Sequence, residues 1–259
     1  MTTEQISCFL DTAIRNRLAV RLLAEQHIAI SRDLQYPERA SKNQIGVVEL
    51  NCSPKKMIGM VGSFVSDLCE ATLGASPQII IDGEADATFA YVPATPAKPR
   101  AHPPHSYIPV HLEYILTEIL KNSFRASVER HHRTHGSGSR TPIPPVQLTI
   151  APPPASAQGS AVLCLRIRDQ GGGVPPANIP HIFSYSFTTA RADDADELGG
   201  GPYAAQHVGG SAAVGGSGGS GEPGGSSLFG EIVGRGVQTG MGTIAGLGYG
   251  LPMSRLYAM

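Results

Sequence analysis

Apolar residues recur at helical spacing between residues 4 and 30: Ile6, Phe9, Leu10, Ala13 and Ile14, then Leu18, Leu22 and Leu23. A period kept for that long predicts one continuous helix. A lone amphipathic helix cannot bury its own stripe, so it must dock on helices that precede it or on the domain that follows. At residue 45 the pattern changes, and "IGVVEL" reads as a strand. Ser53 then acts as N-cap and Pro54 as the first helical residue of a second helix, with Met57, Met60, Val61, Phe64, Val65 and Leu68 at helical spacing. "QIIID" (78–82) predicts a strand. "VQLTI" (146–150) and "VLCLRIRD" (162–169) predict two more, in a hairpin-like pair with an overlong connection.

Between these elements lie two stretches that cannot pack regularly. One is the proline-rich insert around "PATPAKPRAHPPHSYIP". The other runs from Arg191 to about Gly242 and contains "VGGSAAVGGSGGSGEPGG", which buries too little to repay its ordering entropy and is expected to be mobile. Pattern returns at "IAGLGYGLPMSRLYAM", a glycine-rich loop leading into a helix.

The helix predicted from about Pro109 to Arg130 carries more polarity than packing requires. Leu116, Ile119, Leu120 and Phe124 supply an apolar face, while Glu118, Asn122 and Arg125 sit at i, i+4 and i+7 on the other. That polar stripe asks for a function.

Composition narrows the choices. The chain has 259 residues, 20 basic and 21 acidic side chains, a formal charge of -1 and no run of Lys or Arg, which argues against a nucleic-acid partner. No segment approaches the roughly 18 apolar residues of a membrane span, and the first residues have neither the apolar core of a signal peptide nor the acid-free look of a transit peptide. Cys8, Cys52, Cys69 and Cys164 are widely spaced and are expected to be small buried thiols, with no disulfide and no zinc site. The histidines of "ERHHRTH" border a Gly/Ser loop without acidic or thiol companions, so a solvated helix end is the ordinary reading.

Four segments then line up as a nucleotide site. Glycines 171–173 in "DQGGGVP" let backbone approach a planar base, and the Asp169 carboxylate suits an exocyclic amine. Gly246, Gly248 and Gly250 in "GLGYGLP" open a helix and offer free N–H groups to phosphate. "SFTT" contributes Thr188 and Thr189. Asn122 offers a neutral oxygen to magnesium, and Glu118, one turn earlier, can polarise an attacking hydroxyl. Taken singly, each has an ordinary reading as solvated face, turn or loop; it is their joint order that carries the inference. There is no G-x-x-x-x-G-K-[ST] and no V-A-I-K, H-R-D or D-F-G set.

In these segments the chain resembles the Bergerat-fold (GHKL) ATP-binding superfamily, with "E-x-x-x-N" at 118–122, "DQGGG" at 169–173 and "GLGYGLP" as its motifs. Within it, "LKNSFRASVE", "RDQGGGVP", "FTTA" and "GLGYGLPMSRLYA" are similar to the mitochondrial 2-oxoacid dehydrogenase kinases. "FLDTAIRNRLAVRLLAEQH" looks like the last helix of that family's helical bundle. "LNCSPKKMI", "LEYILTEILKN" with Tyr114, and "SYSFTTA" look closer to the branched-chain kinase than to the pyruvate dehydrogenase kinases.

The resemblance implies an α/β sandwich with a mixed sheet and helices on one face. Residues 1–40 would be a remnant of the all-α domain, and 41–259 a C-terminally truncated ATP-binding domain with a long lid at 191–243. It implies transfer of the ATP γ-phosphate to a serine of the E1α subunit of the branched-chain complex, the pyruvate dehydrogenase complex being the alternative target and an inactive docking fragment the alternative role. Glu118 would be the base and Asn122 the Mg2+ ligand. Arg125, Asp169, Gly171, Gly173, Thr188, Thr189, Gly246, Gly248, Tyr249, Gly250 and Leu251 would hold nucleotide. A K+ ion would sit on carbonyls near Ile182, Ser184, Phe187 and Gly248. The implied partners are E1α and the lipoyl-bearing E2 in the mitochondrial matrix, with a homodimer left open. His27 is expected to be a packed interface residue, not a phosphoacceptor.

Overall fold

The computed structural model describes residues 3–84, 86, 89–90, 107–136, 138–151, 163–185, 187 and 248–258. The proline-rich insert and the proposed lid at 191–243 lie outside these residues, except for the end of the former from Tyr107 onward.

The first helix, α1, spans Thr3–Gln35 and stops just before Pro37, whose ring restricts the residue ahead of it. Leu10, Ile14, Leu18 and Leu22 are half-buried, together with Asp11, Arg21, Glu25 and Gln26. Four of the apolar positions expected to pack face outward instead: Ile6, Phe9, Ala13 and Leu23 are exposed. His27 is exposed as well, correcting the expectation of a packed residue, because it falls outside the stripe that α1 turns toward the rest of the chain.

"IGVVEL" is not one strand. Gly46, at φ +61°, breaks it into a tight hairpin in which β1 (Gln44–Ile45) pairs antiparallel with β2 (Val48–Glu49). Gln26 of α1 holds the turn from both sides, accepting from the Val47 N–H at 2.8 Å and donating to the Ile45 carbonyl at 3.2 Å. Strand β3 (Asn51–Cys52) follows and pairs with β5 (Phe89–Ala90).

Helix α2 (Pro54–Leu73) begins as its sequence predicts, with Ser53 Oγ accepting from the Lys56 N–H and Pro54 in the first turn. It ends at Gly74, φ +73°, in the left-handed conformation that caps helices. Its buried face is Met57, Ile58, Val61, Val65, Leu68 and Cys69, whereas Met60 is exposed. Helix α3 spans Pro109–His135, one turn beyond the expected end. His131 at its C-terminal end is buried and its Nε2 hydrogen-bonds the Thr141 hydroxyl at 3.0 Å.

The main sheet runs β4 (Ile79–Gly83), β6 (Val146–Ala151), β7 (Cys164–Arg168), in that spatial order. β4 and β6 are parallel with α3 in the crossover between them, while β6 and β7 are antiparallel with Leu148 opposite Ile167. The sheet is therefore mixed. Alternation decides its faces: Val146, Leu148 and Ile150 are fully buried against α2 and α3, joined by Leu116, Leu120 and Phe124, while Ile80, Arg166 and Arg168 face away. The expected α/β arrangement, helices on one side of a mixed sheet, is the one present.

The thiols divide. Cys52 and Cys69 are buried, but Cys8 and Cys164 are exposed, since α1 turns Cys8 outward and β7 places Cys164 on the uncovered sheet face. All four are free.

Candidate functional site

Helix α3 is the floor of the site. Its apolar positions Leu116, Leu120 and Phe124 are pulled into the core, and this fixes the rotation at which Glu118, Asn122 and Arg125 emerge. Asn122 is exposed, whereas Glu118 and Arg125 are half-buried. Each charged residue has an ion-pair partner on the same helix. Lys121 Nζ donates to Glu118 Oε1 at 2.9 Å, with both side chains largely covered, and Arg125 pairs with Glu129. Lys121 was not singled out from the sequence, although its i+3 spacing from Glu118 was the signal available.

Two distant segments close onto this helix. Strand β7 delivers Asp169, whose Oδ1 accepts the Gly171 N–H at 2.8 Å and folds the chain back. Gly171 then lies against α3: a Cβ there would collide with the Ala126 side chain and backbone. Gly172 and Gly173 have φ of +104° and +75°, which side-chain-bearing residues rarely adopt. Arg130 Nη1 donates to the Gln170 carbonyl at 3.3 Å and ties the turn to the same helix.

The second segment is α4 (Gly250–Tyr257) with the turn before it. Gly248 has φ +79°, and a Cβ on Gly250 would collide with the Glu118 carboxylate. The start of α4 thus rests directly on the candidate base. Pro252, Ser254, Leu256 and Tyr257 are the buried residues of α4. The Tyr257 ring packs 4.5 Å from His111 and 5.0 Å from Tyr114, centroid to centroid. Burial raises the phenol of Tyr114, with the Glu118 charge adding to it, so that this ring stays neutral beside the carboxylate. Burial likewise pushes the Tyr257 phenol up to about 12, opposed by Arg21 and assisted by Glu25.

The structure therefore sets Glu118, Asn122 and Arg125 on α3 and Gly171 and Gly250 against it, with Asp169 and Gly173 in the first of the two segments that these glycines anchor and Gly248, Tyr249 and Leu251 in the second. Ile182, Ser184 and Phe187 follow a 3-10 turn at Ile179–His181, where the Phe187 N–H points to the Ser184 carbonyl at 3.4 Å. Thr188, Thr189 and Gly246 lie outside the described residues. No cluster of three or more metal-ligating His, Cys, Asp or Glu side chains occurs among the described residues. For magnesium-nucleotide the donor set fits: the neutral amide oxygen of Asn122, two glycine turns without Cβ and the Glu118 carboxylate of α3 beside the first residue of α4.

The chain is also similar in sequence to known proteins. A family model described as mitochondrial branched-chain alpha-ketoacid dehydrogenase kinase matches residues 1–61, and one described as histidine kinase-, DNA gyrase B-, and HSP90-like ATPase matches residues 107–229. The mitochondrial [pyruvate dehydrogenase (acetyl-transferring)] kinase of Arabidopsis thaliana is 26% identical over 255 residues, covering 98% of this chain and 51% of its own length. Isozyme 4 from Mus musculus is 26% identical over 259 residues, covering 100% and 47%. The Drosophila melanogaster enzyme is 26% identical over 257 residues, covering 99% and 47%. The chain spans about half the length of these relatives.

Proposed function

We propose, from the premise that this chain belongs to the mitochondrial 2-oxoacid dehydrogenase kinase family of GHKL ATPases, that it is the nucleotide-binding part of an ATP-dependent protein serine kinase. The single observation that carries the reading is the abutment of Gly250 on Glu118, which joins the phosphate-binding turn to the candidate base. Residues 1–40 are the helical-bundle portion and 41–259 the kinase domain.

In this reading Asp169 and the Gly171–Gly173 turn receive adenine. The N–H groups from Gly248 to Leu251, with Thr188, Thr189, Gly246, Tyr249 and Arg125, receive the rest of the nucleotide. Asn122 holds Mg2+, which neutralises phosphate charge when bound. Glu118 accepts the proton of the substrate serine as its oxygen bonds to the γ-phosphorus, and the bond from that phosphorus to the departing ADP oxygen breaks. A K+ ion on the carbonyls of Ile182, Ser184, Phe187 and Gly248 would brace the turn.

The substrate is the E1α subunit of a 2-oxoacid dehydrogenase complex in the mitochondrial matrix, with lipoyl-bearing E2 as the docking partner. The compared relatives are all named for pyruvate dehydrogenase, which supports the pyruvate complex better than the branched-chain one. The branched-chain reading survives as a second candidate on the family match at 1–61 and on Tyr114 beside the base. No helix among the described residues is long and apolar enough to cross a membrane.

The test is a two-stage assay. Mg-ATP binding is measured by calorimetry, and phosphoryl transfer is then followed to pyruvate and branched-chain E1 separately. Binding with faster transfer to pyruvate E1 is the expected result; branched-chain preference exchanges the two targets. Binding without transfer to either makes the chain a docking module, and absence of binding overturns the nucleotide reading.

A further inference from the structure

We infer that Asp11 is a positioning residue for the nucleotide site, fastening the segment around Tyr185 and helix α4 to one carboxylate on α1. The inference rests on the reading of residues 248–251 as the phosphate-binding turn. Asp11 Oδ1 accepts the Tyr185 hydroxyl at 2.6 Å, and its Oδ2 accepts Arg255 Nη2 at 2.9 Å. Asp11 is 174 residues from one partner and 244 from the other, so neither contact follows from local chain geometry.

The two partners reach the candidate site from different sides. Arg255 is on α4, little more than one turn beyond Gly250, and its guanidinium also lies over the Phe183 ring at 5.5 Å. The Tyr185 ring is buried and its centroid is 6.1 Å from that of Tyr249, the residue preceding α4. Phe183 and Tyr185 belong to the stretch that leads toward Thr188. One carboxylate, with both oxygens used, thus holds in register the two segments that would close on the phosphates. Arg255 cannot accept a hydrogen bond and Tyr185 is covered, so an uncharged side chain at position 11 serves the pair poorly. Because coupling is reciprocal, a nucleotide that draws these segments together must tighten their hold on α1 by the same factor.

The experiment uses the full chain and Mg-ADP. Affinities are measured for the wild type, Asp11→Ala, Arg255→Ala and the double variant, with Asp11→Asn as a near-isosteric second form. Amide hydrogen exchange over residues 7–14 is followed with and without ADP. Each single substitution is expected to weaken ADP by about 5- to 100-fold, the usual span of such couplings. The double variant should be little weaker than the worse single one. ADP should slow exchange in α1 of the wild type and leave it unchanged in Asp11→Asn. A wild type that binds ADP alongside an Asp11→Asn that binds equally well, with the same exchange response, would overturn the inference while leaving the nucleotide reading intact. A folded wild type that binds no ADP would overturn both.

Discussion

Gly250 and Glu118 touch: the first residue of α4 stands where any side chain would run into the Glu118 carboxylate. They are 132 positions apart in the sequence, so the contact exists only because α3 and α4 pack together. Gly250→Ala introduces one methyl group at a site without positive φ, and the obstacle is the far end of a flexible side chain. The fold should tolerate it, with a thermal midpoint close to wild type. Glu118, however, must swing aside, and misplacing a catalytic group by about 1 Å costs on the order of 10²-fold. Transfer to E1 should fall by about that factor, and an unchanged rate would remove Glu118 from the base role.

Glu118 and Asn122 separate by the step they affect. Glu118→Gln keeps shape and a hydrogen bond to Lys121 but loses the basic oxygen, so Mg-ATP binding should persist while transfer drops by roughly 10² to 10⁴. Asn122→Ala should lose magnesium-dependent nucleotide binding. Calorimetry with Mg-ATP, repeated with a chelator in place of magnesium, distinguishes the two.

Gly171 faces a harder obstacle than Gly250, since a Cβ would meet the Ala126 methyl and the α3 backbone. Overpacking of this kind costs about 1–3 kcal/mol. Gly171→Ala should lower the urea midpoint accordingly. Adding Ala126→Gly removes one of the colliding groups, so the double variant should be less unstable than the sum of its parts, even after the ~1 kcal/mol that glycine costs within a helix.

The cysteines should label in two classes. Burial pushes the Cys52 and Cys69 thiols up to about 11, with Glu49 and Glu70 adding to it, and the thiolate is the reactive form. Cys8 and Cys164 are exposed. A thiol reagent at neutral pH should modify these two in the native chain and reach the other two only after denaturation. Intact-mass measurement over time provides the check, and prompt labelling of all four would contradict the core described for α2.

His111 sets a pH dependence. Burial lowers its imidazole below the ordinary value of 6.5, although Glu25 pulls the other way. The folded chain therefore favours the neutral ring. Above the unfolded value the contribution to stability is complete, and it is lost as pH falls through 6.5 toward the lowered folded value, because the unfolded chain takes up the proton first. The urea midpoint should drop between neutrality and about pH 5, and His111→Asn should drop less over the same interval.

Much of this fold was legible in local pattern. Ser53-Pro54 announces α2, the alternation of Val146, Leu148 and Ile150 assigns β6 its buried face, and Glu118, Asn122 and Arg125 share a helix face by spacing alone. These features depend on neighbours a few residues apart, and the backbone's two periods, 3.6 and 2, convert such spacing into geometry. What lay beyond local pattern was orientation among distant parts. "IGVVEL" has strand composition, yet Gly46 and the grip of Gln26 fold it into a hairpin. Phe9, Leu23 and His27 lie outside the inward side of α1, which carries Leu10, Ile14, Leu18 and Leu22 together with Asp11 and Gln26, whose partners are distant in sequence. The polar stripe on α3 was visible as residues; that Gly171 and Gly250 press against that helix was decided by packing across the chain. Contacts of that kind pair residues far apart in sequence, and only the folded core sets which of the many possible pairings is made.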